Sequence, residues 1–181
     1  MKIPEKQRKI GAREIALVAI MAATIECGKL VLSVLPNIEI VTILCALYGY
    51  VFGVWGVVAS IVFVCMEPLI YGFGSWTLTY FIYWPLVAVV FMLLRRKKLG
   101  GRLISTLTAI ILTLFFGVIS SIIDGLFLFG INEYFIKNIV IYYLRGIPFY
   151  ITQLVTNAVV FPMLFPFLLS RLDKIRQAYD L

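Results

Sequence analysis

The side chains that could do chemistry in this sequence are a few carboxylates, amides and cations set among aromatic rings. Glu67, Tyr71, Trp76, Tyr80, Tyr83 and Trp84 crowd around the turn YGFGSW. A carboxylate beside several flat rings describes a pocket that holds a flat polar ligand by stacking and one charged hydrogen bond. The same rings also describe the belt that anchors helices at membrane headgroups. Gln153 and Asn157 are four apart, so on a helix they share a face and either line one cavity or bond to a neighbouring helix. Asp124 and Arg145 add one charge of each sign to this group. Glu26 and Lys29, three apart, can pair on one helix face, either satisfying each other or facing a ligand. Asn37 and Glu39 follow Pro36, where a carboxylate either caps a helix N-terminus or serves the same pocket.

Bond-making chemistry finds no comparable support. The sequence has no His, which removes the commonest general base and metal ligand. Cys27, Cys45 and Cys65 sit in apolar runs without C-x-x-C spacing, which indicates neither a disulfide framework nor a metal site. G-x-x-x-x-G-K-[ST], H-E-x-x-H and G-x-S-x-G are all missing from the sequence. The expectation is a protein that is not an enzyme, with no catalytic residue, metal or cofactor of its own; any use of ATP falls to a partner.

What must position these residues is a membrane bundle. A 62% hydrophobic share and a mean hydropathy of +1.04 over 181 residues exclude a water-soluble domain. Apolar runs near 20 residues match a hydrocarbon core about 30 Å thick, and in lipid the backbone must bond within its own helix. Spans are expected at roughly 11–32, 38–52, 57–70, 76–94, 103–129 and 146–169, with a tight turn at Gly53 to Gly56. The fold class is an all-α integral membrane protein, a six-transmembrane-helix bundle forming one domain over 1–181. The run reaching Leu32 is too long for a signal peptide and is expected to be a retained first helix.

All of the 16 Lys and Arg except Lys29, Lys137 and Arg145 fall in three clusters, at the start, around RRKKLGGR, and near the end. Six spans bring those clusters to one side, which the positive-inside rule makes cytoplasmic. Both termini are therefore expected in the cytoplasm of a multi-pass protein of the cell membrane. Topology accounts for the net charge of +7, so no nucleic-acid partner is expected. Every polar candidate above then lies in the outer half. The segment Gly130 to Arg145 is expected outside, either as a lid or interfacial helix or as an ordinary connector. In the inner half the first span carries the spacings Ala12/Ala16 and Ala19/Ala23, which serve either packing within the bundle or docking of another membrane subunit.

The basic start, the alanine-rich A-x-x-x-A first helix, six spans in about 180 residues and the stretch LPNIEIVTILCALYGYVFG together resemble the substrate-binding S component of energy-coupling factor (ECF) vitamin transporters. The resemblance covers nearly the whole chain. It implies an importer subunit that captures a vitamin from outside and delivers it through a transmembrane coupling subunit driven by two ATPase subunits. By position, Ala12, Ala16, Ala19 and Ala23 would meet the coupling subunit, the segment Ser33 to Glu39 would gate the pocket, and Trp76, Tyr80, Tyr83, Trp84, Asp124, Gln153 and Asn157 would line it. The cobalamin-type members offer the nearest ligand, a corrinoid bound without His; pantothenate, hydroxymethylpyrimidine or a queuosine precursor are the alternatives. From other classes, an MreD-like membrane scaffold would need no outer pocket. A gradient-driven carrier would be expected to show paired inverted halves, which the sequence lacks.

Overall fold

In the computed structural model, residues 11–35 and 38–178 are described. They form six helices: α1 (Ala12–Leu32), α2 (Val41–Phe52), α3 (Val54–Tyr71), α4 (Ser75–Arg96), α5 (Arg102–Phe129) and α6 (Phe135–Ala178). Among the described residues there is no strand. All of these helices except α2 are long and apolar enough to cross a membrane. The burial pattern fits lipid as the solvent: Leu69, Leu103 and Met163 are exposed on the perimeter, while Glu67, Thr113 and Asn157 are buried inside. Charged or amide groups inside and bare aliphatics outside are tolerable only where the surroundings are themselves apolar.

α2 occupies the centre, packed against α1, α3, α4 and α6, and α5 lies between α4 and α6. One glycine of α2 and one of α3 explain how it fits there. A Cβ on Gly49 would stand 2.1 Å from the Ala88 carbonyl oxygen on α4, and one on Gly56 would stand 2.1 Å from the Tyr48 carbonyl oxygen. Three backbones thus approach at a distance that only a missing side chain permits. Around this centre the rings of Phe91, Phe161 and Phe165 fill one end of the core, and Tyr83, Trp84 and Phe116 fill the other.

Several expected boundaries hold to within a few residues, and three features do not. The second span is shorter than expected: α2 has 12 residues, about 18 Å at 1.5 Å per residue, which is less than the hydrocarbon core. The expected turn over Gly53 to Gly56 shrinks to Gly53 alone, whose φ of +60° lets α3 begin at Val54, and Gly56 belongs to that helix. The sixth span begins at Phe135, not at Gly146, so the segment treated as an outer connector is mostly the start of a 44-residue helix. That helix continues through Gly146 because the Tyr150 ring covers the glycine and packs against Gly117 of α5. Its early turns also lie along α5, where a Cβ on Gly125 would meet Ile139. Pro148, Pro162 and Pro166 sit inside it, each removing one backbone donor.

The helix ends sort the charges. Lys29 of α1 reaches Glu67 of α3, and Arg95 of α4 reaches Asp173 of α6, so the C-terminal ends of α1 and α3 share one end of the bundle and those of α4 and α6 share the other. Arg13, Arg95, Arg96, Lys97, Lys98, Arg102, Arg171, Lys174 and Arg176 lie toward the second end, leaving Lys29, Lys137 and Arg145 toward the first.

Candidate functional site

The first end of the bundle holds two neighbouring cavities. One, of about 230 Å³, is walled by Lys29 and Leu32 of α1, Ser33, Leu35, Ile38 and Glu39 of the following connection, Val41 of α2, Tyr80 and Trp84 of α4, and Phe149 and Gln153 of α6. The other, of about 400 Å³, is lined by Trp76, Tyr80, Phe116, Ser120, Asp124, Tyr142, Arg145, Gly146, Phe149 and Tyr150. Tyr80 and Phe149 belong to both and form the partition between them.

Helical spacing builds the aromatic wall. Trp76, Tyr80 and Trp84 are successive i, i+4 neighbours on α4, and their rings meet edge to face at centroid distances of 5.3 and 5.5 Å. α4 starts where Gly74 ends the turn, with the Gly74 N–H donating to Thr77 Oγ1 at 3.2 Å. Trp84 is only 3% exposed, and its Nε1–H is buried without an acceptor. The Trp84 ring lines the smaller cavity, while the indole N–H itself is shielded from that space. Gln153, 7% exposed, supplies an amide to the same cavity from α6.

Glu39 combines both roles expected of it. Its carboxylate accepts the Thr42 N–H at 2.9 Å and the Thr42 hydroxyl, which caps α2, and it also lines the smaller cavity. Burial raises its pKa above the ordinary carboxylate value, partly opposed by the hydrogen bonds from Thr42. Asn37, expected beside it, lies outside the described residues. In the larger cavity Asp124 accepts the Ser120 hydroxyl at 3.3 Å, and Arg145 stands exposed with no ion-pair partner among the described residues.

Other expected site residues are placed elsewhere. Glu67 is fully buried and walls neither of these cavities; it accepts Lys29 Nζ on both oxygens, at 2.6 and 2.5 Å. The Glu26–Lys29 pairing along one helix gives way to this cross-helix pair, because Glu67 offers both oxygens from the facing helix. Glu26 instead accepts the Tyr71 hydroxyl at 2.9 Å, and its other oxygen is buried with no partner. Lys29 Nζ also sits 4.0 Å from the Tyr71 ring centroid. Glu26, Lys29, Glu67 and Tyr71 therefore form a polar tie between α1 and α3, and Lys29 alone of them reaches the smaller cavity. Tyr83 faces the core against Trp84 and Phe116, at 4.7 and 4.8 Å, and walls neither cavity. Asn157, one turn beyond Gln153, donates to Thr113 Oγ1 at 2.9 Å and ties α6 to α5.

Phe149, Tyr142 and Tyr150 complete the walls and are additions to the sequence reading, which names Lys29 beside Glu26. A signal for two of them was present: Tyr142, Arg145, Phe149, Gln153 and Asn157 recur at helical spacing, but that face is visible only if the helix is carried through Gly146. At the opposite end of α1, Ala12, Ala16, Ala19 and Ala23 are all exposed, so packing within the bundle does not use them. The buried face of that helix is instead Val18, Met21, Ala22, Ile25 and Glu26.

Comparison with known proteins gives no match: no family model, no curated protein and no solved structure is similar to this chain.

Proposed function

We propose that this protein is the substrate-binding membrane subunit of an importer of the energy-coupling factor kind, capturing a small, flat, polar vitamin or vitamin precursor. The observation that carries the reading is a cavity that sets Glu39 and Gln153 beside the rings of Tyr80 and Trp84. Because Lys29 is already neutralised by Glu67, Glu39 is the charge left to a ligand, which suits one with hydrogen-bond donors on one edge and an acceptor on another. The Tyr80 and Trp84 rings, set edge to face, offer a ring face to a planar body. A ligand of the size of pantothenate or hydroxymethylpyrimidine matches the smaller cavity as it stands. A corrinoid requires the Tyr80–Phe149 partition to open so that both cavities join.

In this reading the cavities face the outside, the arginine- and lysine-rich end and both termini face the cytoplasm, and the exposed alanine row of α1 is the surface offered to the coupling subunit. ATP is hydrolysed by the partner ATPases. The test is mass spectrometry of small molecules released from the purified protein, followed by thermal denaturation with each candidate added. A released vitamin that raises the melting temperature, with the rise lost in Trp84→Phe/Gln153→Ala, supports binding. A protein that carries no small molecule and is stabilised by none favours a scaffolding role. Accessibility labelling that finds RRKKLGGR outside the cell overturns the import direction.

A further inference from the structure

The tie between α1 and α3 holds more negative charge than its one cation answers. Glu26 and Glu67, 5% and 0% exposed, bring two carboxylates to it, and Lys29 brings one ammonium. Three of the four carboxylate oxygens accept a hydrogen: both of Glu67 from Lys29 Nζ, and Oε1 of Glu26 from the Tyr71 hydroxyl. Oε2 of Glu26 is buried and accepts none. The two carboxyl groups lie within hydrogen-bond reach of each other, so the bare oxygen belongs to a site with a like charge beside it. Two carboxylates sharing a site inside a membrane bundle, with one countercharge between them, cannot both remain ionised.

The surroundings supply no second cation. From α2, Tyr48 donates its hydroxyl to Thr24 of α1 at 3.1 Å, and from α4 the Tyr80 ring lies 5.8 Å from Lys29 Nζ. Cys27 and Cys65, on α1 and α3, are exposed. Glu39, before α2, lines the cavity that Lys29 reaches and adds only negative charge. Among the described residues no cation except Lys29 pairs with Glu26 or Glu67. A metal ion needs several oxygen ligands, and one open oxygen shielded from water does not hold it. A proton needs one oxygen to bind and a second to accept its hydrogen bond, which is what the pair offers.

We infer that Glu26 and Glu67 bind one proton between them, as a carboxylic acid hydrogen-bonded to a carboxylate. The proton comes from water, a single O–H bond forms, and the tie becomes neutral. Losing it leaves an uncompensated negative charge between α1 and α3. The repulsion then falls on the helix that carries Lys29 to the smaller cavity and the exposed alanine row on its other half. The site is a proton-dependent clasp on α1, and it stands whether or not the neighbouring cavity binds a vitamin.

Infrared spectroscopy of the full chain in neutral detergent near neutral pH tests it, in a Glu39→Gln background that removes another buried carboxyl. This parent should show the carbonyl stretch of a protonated carboxyl group, shifted in heavy water. Glu26→Gln and Glu67→Gln should each abolish that band, because the remaining carboxylate pairs with Lys29 and the amide N–H takes the place of the proton. A band that survives either variant would show a lone acid in place of a shared proton, and no band in the parent would overturn the site. If a variant fails to fold, the parent alone decides. Unfolding exposes both carboxyls to water, where they ionise, so it releases the proton and stability falls as pH rises. From above the ordinary carboxylate range up to the pH at which the band disappears, the folded-to-unfolded ratio should drop about tenfold per pH unit. The sequence has no His to titrate there, and a flat ratio across that window would overturn the shared proton.

Discussion

Replacing Lys29 by Met strands the Glu67 carboxylate, which is fully buried in α3, whereas replacing Glu67 by Leu strands an ammonium that is 25% exposed and keeps the Tyr71 ring 4.0 Å away. Breaking a buried pair by removing one member costs ~3–5 kcal/mol, and exchanging both members for apolar groups of similar size is often neutral. Lys29→Met should therefore lie within that range. Glu67→Leu should cost ~2–3 kcal/mol, because the cation retains the ring and partial access to water. The double variant should lose ~1 kcal/mol or less, leaving a coupling of several kcal/mol between the sites. Thermal unfolding in neutral detergent, followed by tryptophan fluorescence, reads the series. At roughly 2–4 °C per kcal/mol for a chain of this length, Lys29→Met should lower the midpoint by roughly 6–20 °C. If the double variant is as unstable as the two singles added together, the pair does not hold α1 to α3 and the reasoning fails.

Four further outcomes are expected. Gly49→Ala should destabilise by ~1–3 kcal/mol on the same assay, since its methyl group would meet the α4 backbone, which has no side chain to swing aside. Trp84→Phe should weaken binding of the released ligand by about threefold to tenfold, and Tyr83→Phe should leave it unchanged, as titration calorimetry can check. Ala19→Leu or Ala23→Leu should block co-purification with a coupling subunit while sparing ligand affinity; the reverse pattern would remove the alanine face as the docking surface. Because the Glu39 carboxyl is raised in the fold, its stabilising contribution is present below the ordinary carboxylate pKa and is lost as pH rises through the higher, folded value. Glu39→Gln should flatten that part of a stability profile, and an unaltered slope would show the group to be solvated.

Composition and apolar run length carried most of the fold, because a bilayer demands long helices and the sequence has few ways to hide them. The misplaced start of α6 has a specific cause. Arg145 and Gly146 look like punctuation in isolation, but Tyr150 seals the glycine, and the helix runs on. At the site, Trp76, Tyr80 and Trp84 were legible as a face through their spacing. Tyr83 was grouped with them by adjacency although it points about 100° away from Trp84 on a 3.6-residue helix. Lys29 shows the limit most clearly. Sequence spacing offers it Glu26, and only the packing of α1 against α3 reveals that a carboxylate 38 residues on is nearer.

The brevity of α2 leaves room beside it. A helix of about 18 Å is about 12 Å shorter than a hydrocarbon core about 30 Å thick, so the five long helices outreach it. The smaller cavity is walled by Val41, the first residue of α2, and by Leu35, Ile38 and Glu39 before it, where a longer helix would bring further turns of backbone. In the proposed import reading, a ligand reaches the tryptophan past Leu35 and Ile38 with every long helix left standing.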